Sequence, residues 1–313
     1  MTMATLDEVL QPALRGGYAV AGLVVLGWED ARAYVNAAEA EQLPVILQAG
    51  PGCRRHTPLP VLAAMFRNLG EGADVPVVAH LDHGYSLDEC RQAIDCGFTS
   101  VMFDGSRHQI GRNIELTAEV AAMAADAAIS CEGEIGFVGH EGGESSTCTD
   151  PQQAGRFARE TGIDAVAVSV GNVHLQQDSS SSIDRDRLRK IEAHVDIPLV
   201  LHGGSGIDHD QRRQLAMTSS VCKFNIGTEL RMQFGQALRR ATESHPDRYD
   251  RIELLRETEQ PVQDAARRIM SSLGPGGRHM GGLPAPGRSS PEPAAPGQDR
   301  AAGPAGHLRP GLR

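Results

Sequence analysis

The sequence predicts a (β/α)₈ barrel, an α/β fold, on three observations. Eight short apolar runs alternate with longer amphipathic stretches. The runs are nearly continuous in Val, Ile, Leu and Ala, as parallel strands require when helices cover one face and a barrel core the other. Histidines and carboxylates recur just after the runs, at the strand ends where such barrels carry their sites. An open, doubly wound sheet is the runner-up reading of the same alternation.

In chain order the runs are YAVAGLVV, PVILQAG, PVVAHLDHG, SVMFDGS, AAISCEGE, AVAVSVGNVH, PLVLHGGSG and VCKFNIGT. Pro44, Pro76 and Pro198 open three of them, at a first strand position that tolerates a missing N–H. The segments EDARAYVNAAEAEQ, LDECRQAIDCG, GRNIELTAEVAAMAADA, DPQQAGRFARETG, DRDRLRKIEAH and TELRMQFGQALRRA lie between them with helical character. Asp150 before Pro151, and Ser86 near Asp88, mark helix starts. DHDQRRQLAM, after the seventh run, is a further helix candidate.

The 313-residue chain is long enough to bury a large core, and its 40% apolar and 22% charged composition is that of a globular protein. A net charge of -10 argues against nucleic acid as the main partner, while a local basic pocket for a small phosphate stays compatible with it. The 6 cysteines include no CxxC pair, so reduced thiols in a cytoplasmic protein are expected. MTMATLDEVL carries acids where a signal peptide needs a basic start, and no segment nears the ~20 apolar residues of a membrane span. Neither secretion nor a membrane partner is expected.

From about Gly274 the composition turns to Gly, Pro, Ala and Arg, which buries too little apolar surface to offset chain entropy. A disordered tail is therefore expected. From Gly274 onward, five arginines against Glu292 and Asp299 give +3, so the preceding body holds -13 of the net -10.

Strand three ends in His80, Asp82 and His83, strand four in Asp104, and strand five in Glu132 and Glu134. Strands six, seven and eight end in His174, His202 and Asn225. Imidazole nitrogens suit zinc, and three protein ligands with an open fourth position mark a catalytic site. Each of His83, His174 and His202 taken alone reads as well as a hydrogen-bonded strand-end histidine; their recurrence at one rim favours a metal. His80, inside its apolar run, reads as a core or supporting residue. HGGSGID and NIGTEL offer glycine backbones and the hydroxyls of Ser205 and Thr228, a phosphate cradle at the two loops that usually bind phosphate in this fold.

HLDHG, VMFDGS, EGEIG, VLHGGSG and NIGTEL, in this order and spacing, resemble the class II, metal-dependent ketose-bisphosphate aldolases, the fructose- and tagatose-bisphosphate group. The resemblance runs from about Leu6 to Arg278, which places one domain at 1–278 and the disordered tail at 279–313. It implies a TIM barrel and a lyase of carbohydrate metabolism, such as glycolysis, that reversibly cleaves a phosphorylated ketose. The expected substrate is of the fructose 1,6-bisphosphate kind, and the products are dihydroxyacetone phosphate and an aldehyde. It further implies zinc on His83, His174 and His202, with Asp104 and Glu134 holding a displaced metal or a second divalent or monovalent cation. Asp82 then exchanges a proton with the C4 oxygen, and a glutamate of the loop after strand five, Glu141, moves the other proton. The phosphate falls to Gly203, Gly204 and Ser205 together with Asn225, Ile226, Gly227 and Thr228. A homodimer or homotetramer is the family's usual assembly.

Four stretches depart from the family pattern. The loop's paired acids are split, Glu141 being followed by Gly142 with Glu144 further on. AGLVV stands where the family has an asparagine near AFN. AGPGCRRHTPL replaces a small polar loop, with Arg54 and Arg55 either pairing with a substrate anion or solvated. HLQQDSSSS follows where the family has HG and a lysine-bearing loop, and Leu175 is expected to hinder close backbone approach to the phosphate. Two other readings stay open: an aldolase-like enzyme of specialised metabolism with a different nucleophile or aldehyde, and a catalytically silent barrel that only binds. The presence of Asp82 with all three histidines argues against the silent reading.

Overall fold

A computed structural model describes residues 2–178 and 181–275; the tail expected at 279–313 lies outside them. All eight expected strands form: β1 (Val20–Val24), β2 (Val45–Ala49), β3 (Val77–Gly84), β4 (Ser100–Phe103), β5 (Ser130–Ile135), β6 (Ala165–Val168), β7 (Leu199–Leu201) and β8 (Val221–Ile226). They pair in parallel in sequence order, and β1 closes on β8 through Val20↔Lys223 to Leu23↔Ile226. This closed eight-strand cylinder is a TIM barrel, and closure excludes the open sheet.

The helices, in chain order, are α1 (Leu6–Gly16), α2 (Trp28–Glu41), α3 (Pro51–His56), α4 (Leu59–Gly72), α5 (Leu87–Cys96) and α6 (Ile110–Asp126). Then follow α7 (Pro151–Thr161), α8 (Arg185–Glu192), α9 (His209–Thr218), α10 (Thr228–Ser244) and α11 (Arg251–Leu273). The helix starts read from sequence are realised, since Ser86 accepts from Glu89 N and Asp150 from Gln153 N. α1, α3, α4 and α11 were not anticipated. α1 begins in a capping box of Thr5 with Glu8 and buries Leu6, Val9, Leu10 and Ala13, spaced i, i+3, i+4 and i+7. These side chains cluster with Val20, Ile46, Val78 and Cys222, so α1 plugs the barrel at the strand starts, opposite the rim that carries the site. Among the described residues no helix is long and apolar enough to cross a membrane.

α2 offers a titration test. Asp30 in its first turn accepts from the backbone N–H groups of Leu26 at 3.0 Å and Gly27 at 3.2 Å. Burial nevertheless outweighs these bonds and pushes its carboxyl up to about 6. A carboxyl whose pKa is raised on folding binds its proton more tightly in the native state. Stability is therefore present at low pH and is lost as pH climbs from the unfolded value near 4 through about 6. Thermal unfolding of the native chain should drop between pH 4 and pH 7 more steeply than that of Asp30→Asn; equal slopes would sink the assignment.

Candidate active site

Three histidines meet at the C-terminal rim: His83 at the end of β3, His202 just after β7, and His174 in the loop beyond β6, which stops at Val168 rather than running on to the histidine. Ring centroids lie 4.6 Å apart for His83 and His202, 5.4 Å for His83 and His174, and 5.7 Å for His174 and His202. One ligand nitrogen of each lies within 4.8 Å of the others, and His83, Asp104 and Glu134 form a second group within the same limit. His83 Nδ1 is 2.8 Å from Asp104 Oδ2 and 3.6 Å from Glu134 Oε2, and His202 Nδ1 is also 3.6 Å from Glu134 Oε2. Among the described residues, two buried atoms of this cluster have no hydrogen-bond partner, His202 Nδ1 and Glu134 Oε2. Orphaned lone pairs at the focus of three imidazoles are what a bound cation satisfies, so the donor set fits a divalent metal.

The electrostatics divide the three imidazoles. Burial, helped by the charge on His83, lowers the pKa of His174 to about 3, and burial also depresses His202. Both are thus held as the neutral imidazoles a metal requires. His83 goes the other way: burial opposes its charge, but Asp82, Asp104 and Glu134 together raise it to about 10. Burial, reinforced by Asp104, pushes Glu134 well up. Burial also acts against the ionised forms of Asp104 and Asp82, yet His83 outweighs it and holds both carboxyls below their usual range.

Beneath the rim lies a polar layer inside the barrel that only partly shows in the sequence. Glu132 accepts from Lys223 Nζ at 2.6 Å and lies 3.0 Å from His202 Nε2, with all three side chains fully buried. Lys223 Nζ lies 3.3 Å from His80 Nε2, and His80 Nδ1 lies 2.9 Å from Ser100 Oγ. His80 is therefore a supporting core residue. Lys223 was overlooked, although one charge inside the apolar run VCKFNIGT was its signal. Higher up, Asn225 Nδ2 donates to Asp82 Oδ1 at 3.1 Å, and both are buried.

Asp82, His83, Asp104, Glu134, His174 and Asn225 line a cleft of about 350 Å³, while His202, His80, Glu132 and Lys223 are fully buried and do not line it. Of the residues expected at the phosphate, Gly203, Ser205, Asn225, Gly227 and Thr228 line it, whereas Gly204 and Ile226 do not. Ile226 packs into the core shared by strands and helices, and a side chain at Gly204 would lie 2.9 Å from both Asn225 O and Ile226. Ser205 Oγ accepts from Gly227 N at 3.3 Å and Glu229 N at 3.2 Å, tying the β7 turn to the start of α10. Glu141 is exposed and does not line the cleft; its carboxylate accepts from Gln177 N at 3.3 Å. Glu144 is paired with Arg107 at 2.7 Å, and the Arg107 guanidinium lies 4.6 Å over the ring of Phe137.

Two departures resolve in space. Leu175 has φ 60°, so the backbone keeps a left-handed turn of the kind glycine adopts, and its half-exposed side chain lines the cleft. Arg55 also lines the cleft, whereas Arg54 is 6% exposed and bonded to backbone carbonyls and Glu89, neither solvated nor facing the cleft.

A TIM barrel whose rim gathers three imidazoles and adjoining carboxylates around one cleft defines a metal-dependent barrel enzyme. The profile described as fructose-bisphosphate aldolase class-II matches residues 4–278. The chain belongs to the class II fructose-bisphosphate aldolase family and is a lyase. It is 37% identical over 257 residues to a fructose-bisphosphate aldolase of Geobacillus stearothermophilus, covering 80% of this chain and 89% of that one. It is 36% identical over 286 residues to a 6-phospho-5-dehydro-2-deoxy-D-gluconate aldolase of Bacillus velezensis, covering 89% and 98% respectively. Among solved structures, the YdjI aldolase from Escherichia coli K12 superposes with a TM-score of 0.75 at 30% identity, over 88% of this chain and 98% of that one.

Proposed function

We propose that the chain is a zinc-dependent aldolase that reversibly cleaves a phosphorylated ketose, of the fructose 1,6-bisphosphate kind, to dihydroxyacetone phosphate and an aldehyde. The observation that carries this reading is the convergence of His83, His174 and His202 beside the buried, ionised Asp82, which lines the cleft together with His83 and His174. Zinc held by the three imidazoles would supply a Lewis acid for the negative charge that develops on the ketose oxygens as the C3–C4 bond breaks. Asp82, oriented by Asn225, takes the C4 hydroxyl proton in cleavage and returns it in condensation. Gly203 and Ser205 from the β7 turn, with Gly227 and Thr228 at the start of α10, hold the phosphate where backbone N–H groups and the helix dipole favour an anion. Asp104 and Glu134 are the site of a second or displaced cation. Glu141 moves the remaining proton on swinging into the cleft, because its carboxylate accepts a long bond from Gln177 N at 3.3 Å while that of Glu144 is held by Arg107.

The test is metal analysis coupled to a cleavage screen over ketose mono- and bisphosphates, reading release of dihydroxyacetone phosphate. About one zinc per chain is expected at the three-histidine site, with activity lost on chelation and restored by zinc. Release from none of the ketoses would refute the reading. Asp82→Asn should lower turnover by roughly 10² to 10⁴ with zinc content unchanged; unaltered turnover would assign the proton to another group.

A second reading, an aldolase of specialised metabolism acting on a different aldehyde, is supported by Leu175 at the cleft and by near-equal identity to aldolases named for two different substrates. Preference in the same screen for a ketose monophosphate over fructose 1,6-bisphosphate would favour it.

A further inference from the structure

Successive side chains of a strand point to opposite faces. Along β3, Val77, Ala79 and Leu81 pack with the surrounding helices, while Val78 joins the cluster inside the barrel and His80 meets Lys223 there. Continued regularly, this alternation sends Asp82 inward and His83 out among the helices. Instead both line the cleft, and the His83 ring reaches that of His202. The backbone departs from a strand to achieve this. His83 takes φ 53°, left-handed and seldom adopted by a side-chain-bearing residue, and the register with β4 shifts between Leu81 and Gly84.

Such a conformation persists only where its surroundings hold it. Arg54 of α3 supplies the hold. Its Nη1 donates to the carbonyls of Ala49 at 2.5 Å and Asp82 at 2.6 Å, and its Nη2 to the carbonyl of His83 at 2.9 Å. Its Nε donates to Glu89 Oε1 at 2.9 Å, and Glu89 Oε2 accepts from Tyr85 N at 3.0 Å. One guanidinium and one carboxylate thus span the chain from the end of β2 to the residue after β3. They grip the carbonyls on both sides of the left-handed turn. A planar fork of donors can do this, whereas an ammonium on a flexible stem cannot satisfy the same set.

Resting on the roles proposed above for Asp82 and His83, we infer that Arg54, braced by Glu89, is a positioning residue that fixes the turn at His83 and so brings two adjacent side chains into one cleft.

The test compares full-length Arg54→Met, Arg54→Lys and Glu89→Gln with the unaltered chain. Folding is followed by thermal melting, zinc affinity by competition with a chelator, and kcat and KM are measured separately. Arg54→Met should lower kcat about 100-fold, as a small misplacement of reacting groups does, and weaken zinc about tenfold. KM should change little, because no group lining the cleft is removed. Arg54→Lys should recover part of both losses, and Glu89→Gln should show smaller losses of the same kind. If Arg54→Met does not fold, the Lys and Gln variants decide by the same two readouts. Folded variants with unaltered kcat and zinc affinity overturn the positioning role alone. So does a raised KM with kcat and zinc affinity intact, which makes Arg54 a substrate-binding group. An unaltered chain that neither binds zinc nor releases dihydroxyacetone phosphate overturns the proposed function as well.

Discussion

His174→Ala is expected to lower turnover by about 10³-fold and to abolish tight binding of the zinc proposed for the three-histidine site. The magnitude follows from the several kcal/mol that a Lewis acid contributes to developing charge, at 1.36 kcal/mol per tenfold in rate. Of the three imidazoles His174 is the cleanest to remove. Its backbone is pinned independently of its ring, since His174 N donates to Gly139 O at 2.8 Å and Glu141 N donates to His174 O at 3.0 Å. The ring faces the cleft, and burial keeps it neutral and ready to ligate without first losing a proton. The melting temperature should therefore move little while metal content and dihydroxyacetone phosphate release collapse together. A variant that keeps its zinc and full turnover removes His174 from the metal site.

Lys223→Met should destabilise the protein by about 3 to 5 kcal/mol, the loss expected when one partner of a buried ion pair is removed. Lys223 and Glu132 are both fully buried and 2.6 Å apart, so the variant leaves a carboxylate in the barrel interior without its counter-charge. The double variant Lys223→Met with Glu132→Gln removes both charges and should regain much of that stability in urea denaturation. Its zinc affinity should still be lower by about 10- to 100-fold, because the Glu132 carboxylate is what meets the far nitrogen of His202. Stability that falls equally in the single and double variants would show that the pair's charge is not what matters.

The sequence made the barrel and most of its rim legible for local reasons. Apolar runs with β-branched residues mark strands wherever they occur, and Asp82, His83, Asp104, Glu134 and His202 each sit at or just past the end of one, while His174 lies in the loop after β6. α1 escaped because it lies before the first strand, outside the alternation, and its role at the barrel floor depends on residues from β1, β2, β3 and β8. Arg54 was misread because two adjacent loop arginines look alike in sequence. Only the fold turns Arg55 to the cleft and Arg54 to the carbonyls of β3. Leu175 similarly reads as an obstruction until its left-handed backbone is seen.

By itself, then, the sequence determined the eight-strand architecture, the family and the chemical character of the rim, since periodicity and residue type are written locally. The tertiary structure alone decided which atoms face one another: that Asn225 orients Asp82 across 143 positions, that Glu132 joins Lys223 to His202, and that the end of β3 bends back under Arg54. These are contacts between segments remote in the chain, formed when the barrel closes and water leaves its interior, and no local pattern encodes them.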